Sequence, residues 1–207
     1  MNFKTIQEIL TQHVPANAVE YCTHLWQELP FTFKLRKARQ SKVGDFTCRQ
    51  GHTPQITVNH DLHPCLFLMT YVHEVAHLRT HQAYGFRAEA HGDEWKKSFQ
   101  QLMEPLLQPE IFPEPLLSGL KKHMASPKAS SFADSELTHL FRSINGREKE
   151  AVLLSQIPEG SVFHLQGRWF KKGKLRRTRV LCKEVNSRRQ YLVPVDAVIT
   201  NAQLSLL

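Results

Sequence analysis

Apolar positions in the first thirty residues recur at helical spacing: Phe3, Ile6, Ile9 and Leu10, and, beyond Pro15, Val19, Cys22, Leu25 and Trp26. Such spacing gathers apolar side chains on one helix face, so two short helices are expected over 1–29. The period then switches to two. Phe31, Phe33 and Leu35 alternate with Thr32, Lys34 and Arg36, which is the pattern of a half-buried strand. Gly44-Asp45 and Gly51-His52 read as turns and residues 55–59 as another strand. Three short antiparallel strands are therefore expected over 31–59.

From Pro64 the helical pattern returns for about twenty residues, with Pro64 suited to the first turn and Gly85 to the C-terminal cap. Phe67, Leu68, Tyr71, Val72, Val75 and Ala76 are dense enough to bury this helix on most sides. A further helix should begin near His91-Gly92, with Asp93 and Glu94 favoured by its dipole, and run through Trp95, Phe99, Leu102 and Met103. Pro105, Pro109, Pro113 and Pro115 forbid its continuation. Residues 124–132 read as a linker, and a short helix is expected over about 133–145. Short β-type runs then return from Val152 onward: SVFHL, RWF, RRTRVLC, QYLVPV and AVI. The expected class is α+β. Residues 1–123 would form helices and a small antiparallel sheet, 124–150 a connector, and 151–207 a small basic β module.

Composition narrows this plan. Of 207 residues, 41% are hydrophobic and 22% charged, which suits a folded chain and not a disordered one. No run approaches 18 apolar residues, so neither a membrane span nor a membrane partner is expected. The N-terminal stretch lacks a signal-peptide pattern, and Cys22, Cys48, Cys65 and Cys182 form no C-x-x-C pair. Free thiols and a cytoplasmic location are the resulting expectation. Charge is uneven. The net charge is +8, yet residues 164–191 alone carry +9, with Glu184 their one acid. Basicity this local points to a polyanion partner.

Seven of the twelve histidines lie between His52 and His91. His73-Glu74-Val75-Ala76-His77 is an H-E-x-x-H pattern on the expected long helix. Residues four apart share a helix face, so both imidazoles can reach one Zn²⁺. Glu74, one step around, can take a proton from the attacking water without binding the metal. A catalytic zinc wants a third protein ligand and an open fourth position. His91 is the first candidate, because a chain reversal at Gly85 would return it to the other two. Glu94 is the runner-up, Glu104 a weaker option, and His81 lies one turn too far along the helix. The metzincin spacing fails, since Thr80 and Ala83 stand where it needs Gly and His.

At this point residues 56–95 resemble the SprT-like metallopeptidase domain, shared by bacterial SprT proteins and eukaryotic Spartan proteases. The resemblance is carried by the strand at 56–59, the His73-Glu74…His77 pattern, and the His-Gly-x-x-aromatic of His91, Gly92 and Trp95. It implies a zincin-like fold with one Zn²⁺ held by His73, His77 and His91, and Glu74 as catalytic base. It also implies protein substrates bound or crosslinked to DNA. A rival also follows: a non-catalytic, zinc-containing, nucleic-acid-associated regulator linked to transcription.

Many members of that family carry a C-terminal zinc ribbon. Here the corresponding segment holds only Cys182, so no second zinc is expected. Its cations are Arg168, Lys171, Lys172, Lys174, Arg176, Arg177, Arg179, Lys183, Arg188 and Arg189. Such density suits DNA or another nucleic acid. Alternation along one strand would put Arg177 and Arg179 on the same face.

Overall fold

The structure, a computed structural model, describes residues 3–39, 42–127, 135–144 and 152–203. The chain divides into two compact units, 1–141 and 142–207.

In the first unit, α1 (Phe3–His13) stops ahead of Pro15, and α2 (Val19–Glu28) follows a 3-10 turn. Ile6, Leu10, Val14, Ala18, Cys22 and Leu25 are buried, as their spacing demands. Three strands come next: β1 (Thr32–Arg36), β2 (Gly44–Thr47) and β3 (Gln55–Asn59). Their order is β1-β3-β2, and β1 runs parallel to β3 while β2 runs antiparallel to it. The expected all-antiparallel sheet is corrected here. Alternation in β1 marked one buried face but said nothing of its partner. Ile56, Thr57, Val58 and Asn59 of β3 are all buried, so β3 is covered on both faces and takes the centre. Gly44 and Asp45, expected as a turn, open β2 instead.

The link from β1 to β2 must pass the end of β3, and Asn59 ties it down. Its Oδ1 accepts from Arg39 Nε at 2.8 Å, and its Nδ2 donates to the carbonyls of Arg39 and Lys42.

Helix α3 (Pro64–Tyr84) has Pro64 in its first turn, and His63 Nδ1 accepts the N–H of Cys65 as a cap. It is buried almost all round from Cys65 to Val72. Tyr71 donates its hydroxyl to the Cys22 carbonyl at 2.9 Å and packs edge-on against Phe33. Helix α4 (Asp93–Met103) lies against α3 through Trp95 and Phe99. After the proline-rich stretch come α5 (Leu116–Met124) and α6 (Ser135–Ile144). Gly119 lets these two helices approach, because a Cβ there would overlap Leu140. Residues 128–134 and 145–151 of the expected connector lie outside the described residues.

The second unit is a six-stranded antiparallel sheet in the order β4-β9-β5-β6-β7-β8. Its strands are β4 (Val152–Leu153), β5 (Val162–Leu165), β6 (Arg168–Arg176), β7 (Arg179–Glu184), β8 (Gln190–Pro194) and β9 (Val198–Gln203). Gln166 and Gly167 both have positive φ and close the β5–β6 hairpin, the conformation that matches strand twist. One face packs on Leu154, Ile157, Phe163, Phe170, Val180, Cys182, Val193 and Ile199. The run RRTRVLC, read as one strand, is split by a turn at Arg177–Thr178. Arg177 and Arg179 therefore do not share a strand face, which corrects that expectation. Arg176 lies opposite Arg179 across the hairpin, and Arg177 occupies the turn with φ 55°.

Among the described residues, no helix is long and apolar enough to cross a membrane.

Candidate metal centre

Helix geometry puts His73 and His77 one turn apart on α3, and two backbone features return a third histidine to them. Gly85 caps α3 with φ 64° and reverses the chain, and His91 itself takes φ 64° just before α4. A left-handed backbone at a non-glycine residue is uncommon and gathers at functional sites. Here it turns the His91 ring onto the other two. The three Nε2 atoms form a triangle with sides of 3.2, 2.9 and 3.2 Å. Three nitrogens at about 2.0–2.1 Å from one tetrahedral ion would stand about 3.3–3.4 Å apart, so the triangle suits a shared cation. Among the described residues, these three form the one group of histidine, cysteine and carboxylate ligands able to hold a metal ion.

The electrostatics agree with that geometry. Burial lowers the pKa of all three rings, His73 well below the ordinary value and His77 to about 4, with the neighbouring histidines adding to both. Neutral imidazoles keep their lone pairs for a metal. The rings are wedged by aromatic packing. The Trp95 ring lies 4.6, 5.3 and 4.6 Å from those of His73, His77 and His91, and Phe46 stacks parallel to His77 at 6.2 Å.

Glu74 points to β2. Its side chain is buried, at 7% relative exposure, and an added Cβ on Gly44 would overlap its Oε1. Its carboxyl is pushed up to about 8, first by burial and then by the charge of Asp45. Arg39, Lys42 and the backbone N–H of Phe46 oppose that rise. Phe46 thus faces both functional groups, its ring on His77 and its N–H on Glu74. In the metal-free protein burial thus favours the protonated carboxyl, and a cation held by the three rings would favour its charged, proton-accepting form.

The alternative ligands lie elsewhere. Glu94 and Glu104 are exposed at the two ends of α4, and His81 packs on Phe46 and Phe86. From the sequence Gly44 is expected only as a turn residue, and nothing there points to Phe46. A glycine within a strand often marks a close approach, and that was the available signal.

In the second unit the cations separate into two groups. The Arg168 guanidinium lies 5.3 and 5.0 Å from the ring centres of Phe170 and Tyr191, and 3.6 Å from the Glu184 carboxylate. Lys172 donates to the carbonyls of Leu154 and Ile157 at 2.7 and 2.6 Å. Both therefore hold the unit together. Arg168 is nonetheless exposed, as are Lys171, Lys174, Arg176, Arg177, Arg179, Lys183, Arg188 and Arg189, while Lys172 is half-buried. Two pairs of like charge stand directly opposite each other, Lys171 with Lys183 and Arg176 with Arg179; such pairs destabilise a sheet.

Comparison with protein families, curated proteins and solved structures returns no match for this chain.

Proposed function

We propose that the chain is a zinc-dependent endopeptidase of the SprT type, acting on proteins held near DNA, with His73, His77 and His91 as the zinc ligands. The observation that carries this reading is the convergence of the three Nε2 atoms, with the buried Glu74 carboxyl one residue after His73 on the same helix. An all-imidazole set of three suits zinc with an open fourth position. Zinc bound there would supply a Lewis acid for the scissile carbonyl and acidify water.

The chain's own residues would do the rest. Glu74 takes the proton of the attacking water on its carboxylate and passes it to the leaving amine. Strand β2 is an edge strand. The N–H of Asn59 donates to the Val43 carbonyl, so by alternation Gly44 and Phe46 direct their carbonyls away from β3. A substrate backbone can add along that edge and lie across the histidines. The exposed cations of the second unit would hold nucleic acid through its phosphates. The regulator reading leaves the burial of Glu74 beside β2 without a purpose, since that carboxyl is not needed to hold the metal.

The test compares zinc-loaded wild type and Glu74→Gln on a DNA-bound protein, with and without the DNA. Cleavage by wild type alone, with zinc retained in both, supports the reading. No cleavage by zinc-loaded wild type under either condition overturns it.

A further inference from the structure

Beside the triad, a groove of about 330 Å³ opens between the second half of β2 and the turn after α3. His77 and Trp95 line it on the metal side, Phe46 and Phe86 form apolar walls, and Glu89 borders it. Phe86 is 80% exposed, and its ring meets that of His81 edge-on at 4.7 Å. Single exposed apolar side chains are ordinary. Phe86 differs in its place, on the wall of a groove that reaches a metal-ligating histidine.

A strand added along β2 would alternate its side chains, and the residue opposite Phe46 would emerge on the same face as the Phe46 ring. That face carries His77 and the groove. We propose that the groove is an apolar subsite for the side chain of a substrate residue flanking the scissile bond, and that Phe86 determines its preference. This inference rests on the peptidase reading. The subsite selects a bulky apolar side chain, such as leucine or phenylalanine, over glycine. The Glu89 carboxylate disfavours aspartate there.

The experiment has two arms. In the first, zinc-loaded Glu74→Gln, which does not turn over, is titrated with fluorescent peptides differing only by leucine, glycine or aspartate at one position. Leucine should bind at least about tenfold tighter than glycine, the scale of discrimination by an apolar pocket. In the Phe86→Ala background that ratio should collapse toward one, and Phe86→Leu should restore part of it, with zinc content constant. In the second arm, wild type and Phe86→Ala cleave a peptide mixture read by mass spectrometry. Wild type should cut beside bulky apolar residues, and the variant should lose that bias. Equal binding of leucine and glycine peptides, or a bias that survives Phe86→Ala, overturns the subsite. Selective binding without any wild-type cleavage would sink the peptidase reading and leave the groove standing as a peptide-binding site.

Discussion

Gly44 and Glu74 are in such close contact that the glycine has no room for a side chain. An added Cβ would overlap Oε1 of Glu74 and stand 2.6 Å from Cγ2 of Thr70. The backbone of Gly44 is extended, so space and not conformational freedom demands glycine here. A strand residue thereby fixes where the candidate catalytic carboxyl sits.

Gly44→Ala should therefore retain zinc and lose peptidase activity, by about tenfold or more in kcat. Overpacking of this kind costs about 1–3 kcal/mol of stability. Zinc content, Tm and kcat measured together check it. A variant with wild-type kcat would show that Glu74 is not held by this contact.

Removing any one of His73, His77 or His91 should sharply lower bound zinc, because the triad holds no spare ligand. Metal analysis of the three alanine variants tests this. Full zinc in His91→Ala would point to Glu94, although that side chain is exposed on α4. In wild type, chelation should lower Tm, since a metal bound only by the folded state stabilises it by mass action.

The metal-free protein should respond to pH in two opposed ways. Burial holds the histidines neutral, with His77 near 4 against an ordinary 6.5. The unfolded chain binds those protons first, so stability is full above about 6.5 and falls as pH drops toward 4. Glu74 is the reverse. Its folded pKa of about 8 exceeds the ordinary 4.5, so its contribution is full below 4.5 and is lost as pH rises through 8. Glu74→Gln, uncharged throughout, should then be more stable than wild type at pH 8–9, by up to a few kcal/mol. The difference should vanish near pH 4.5. Denaturant midpoints of the two metal-free proteins across that range decide it, and a pH-independent gap would mean that Glu74 is not buried as an acid.

Much of this site was legible because it is local. His73 and His77 needed only helical spacing, the bounds of α3 followed from Pro64 and Gly85, and α4 begins at Asp93, a residue or two past the expected His91-Gly92. The sheet order was not legible, because a strand such as β1 records which face is buried and not which neighbour it bonds. Gly44-Asp45 carries a turn composition yet lies in β2, where the close approach of Glu74 overrides local preference. Reach to His91 depended on its own left-handed backbone, which spacing alone does not encode. The cations of the second unit could be counted from sequence, but the hydrogen bonds of Arg168 and Lys172 that give them structural roles reach residues 15 or more positions away.

The structural role of Lys172 and the binding role of the other cations can be tested directly. Lys172→Ala should destabilise the second unit, because the carbonyls of Leu154 and Ile157 lose their donor. Lys171→Gln and Lys183→Gln should act oppositely on two readouts. Each relieves a repulsion between directly opposed like charges, gaining about 0.2–1 kcal/mol of stability. Each also removes a cation from the exposed face and should weaken DNA binding. Replacing Arg176, Arg177 and Arg179 together should weaken it further and flatten the salt dependence, by about 0.7–0.9 log units per log unit of salt for each phosphate no longer engaged. No recognition helix is present among the described residues of this unit, so changing the DNA sequence should alter affinity little. Thermal melts and salt-dependent binding isotherms on the same variants separate these effects. If Lys171→Gln lowered stability and left DNA affinity untouched, the opposed lysines would serve the fold, and the proposed link to DNA would lose its physical basis.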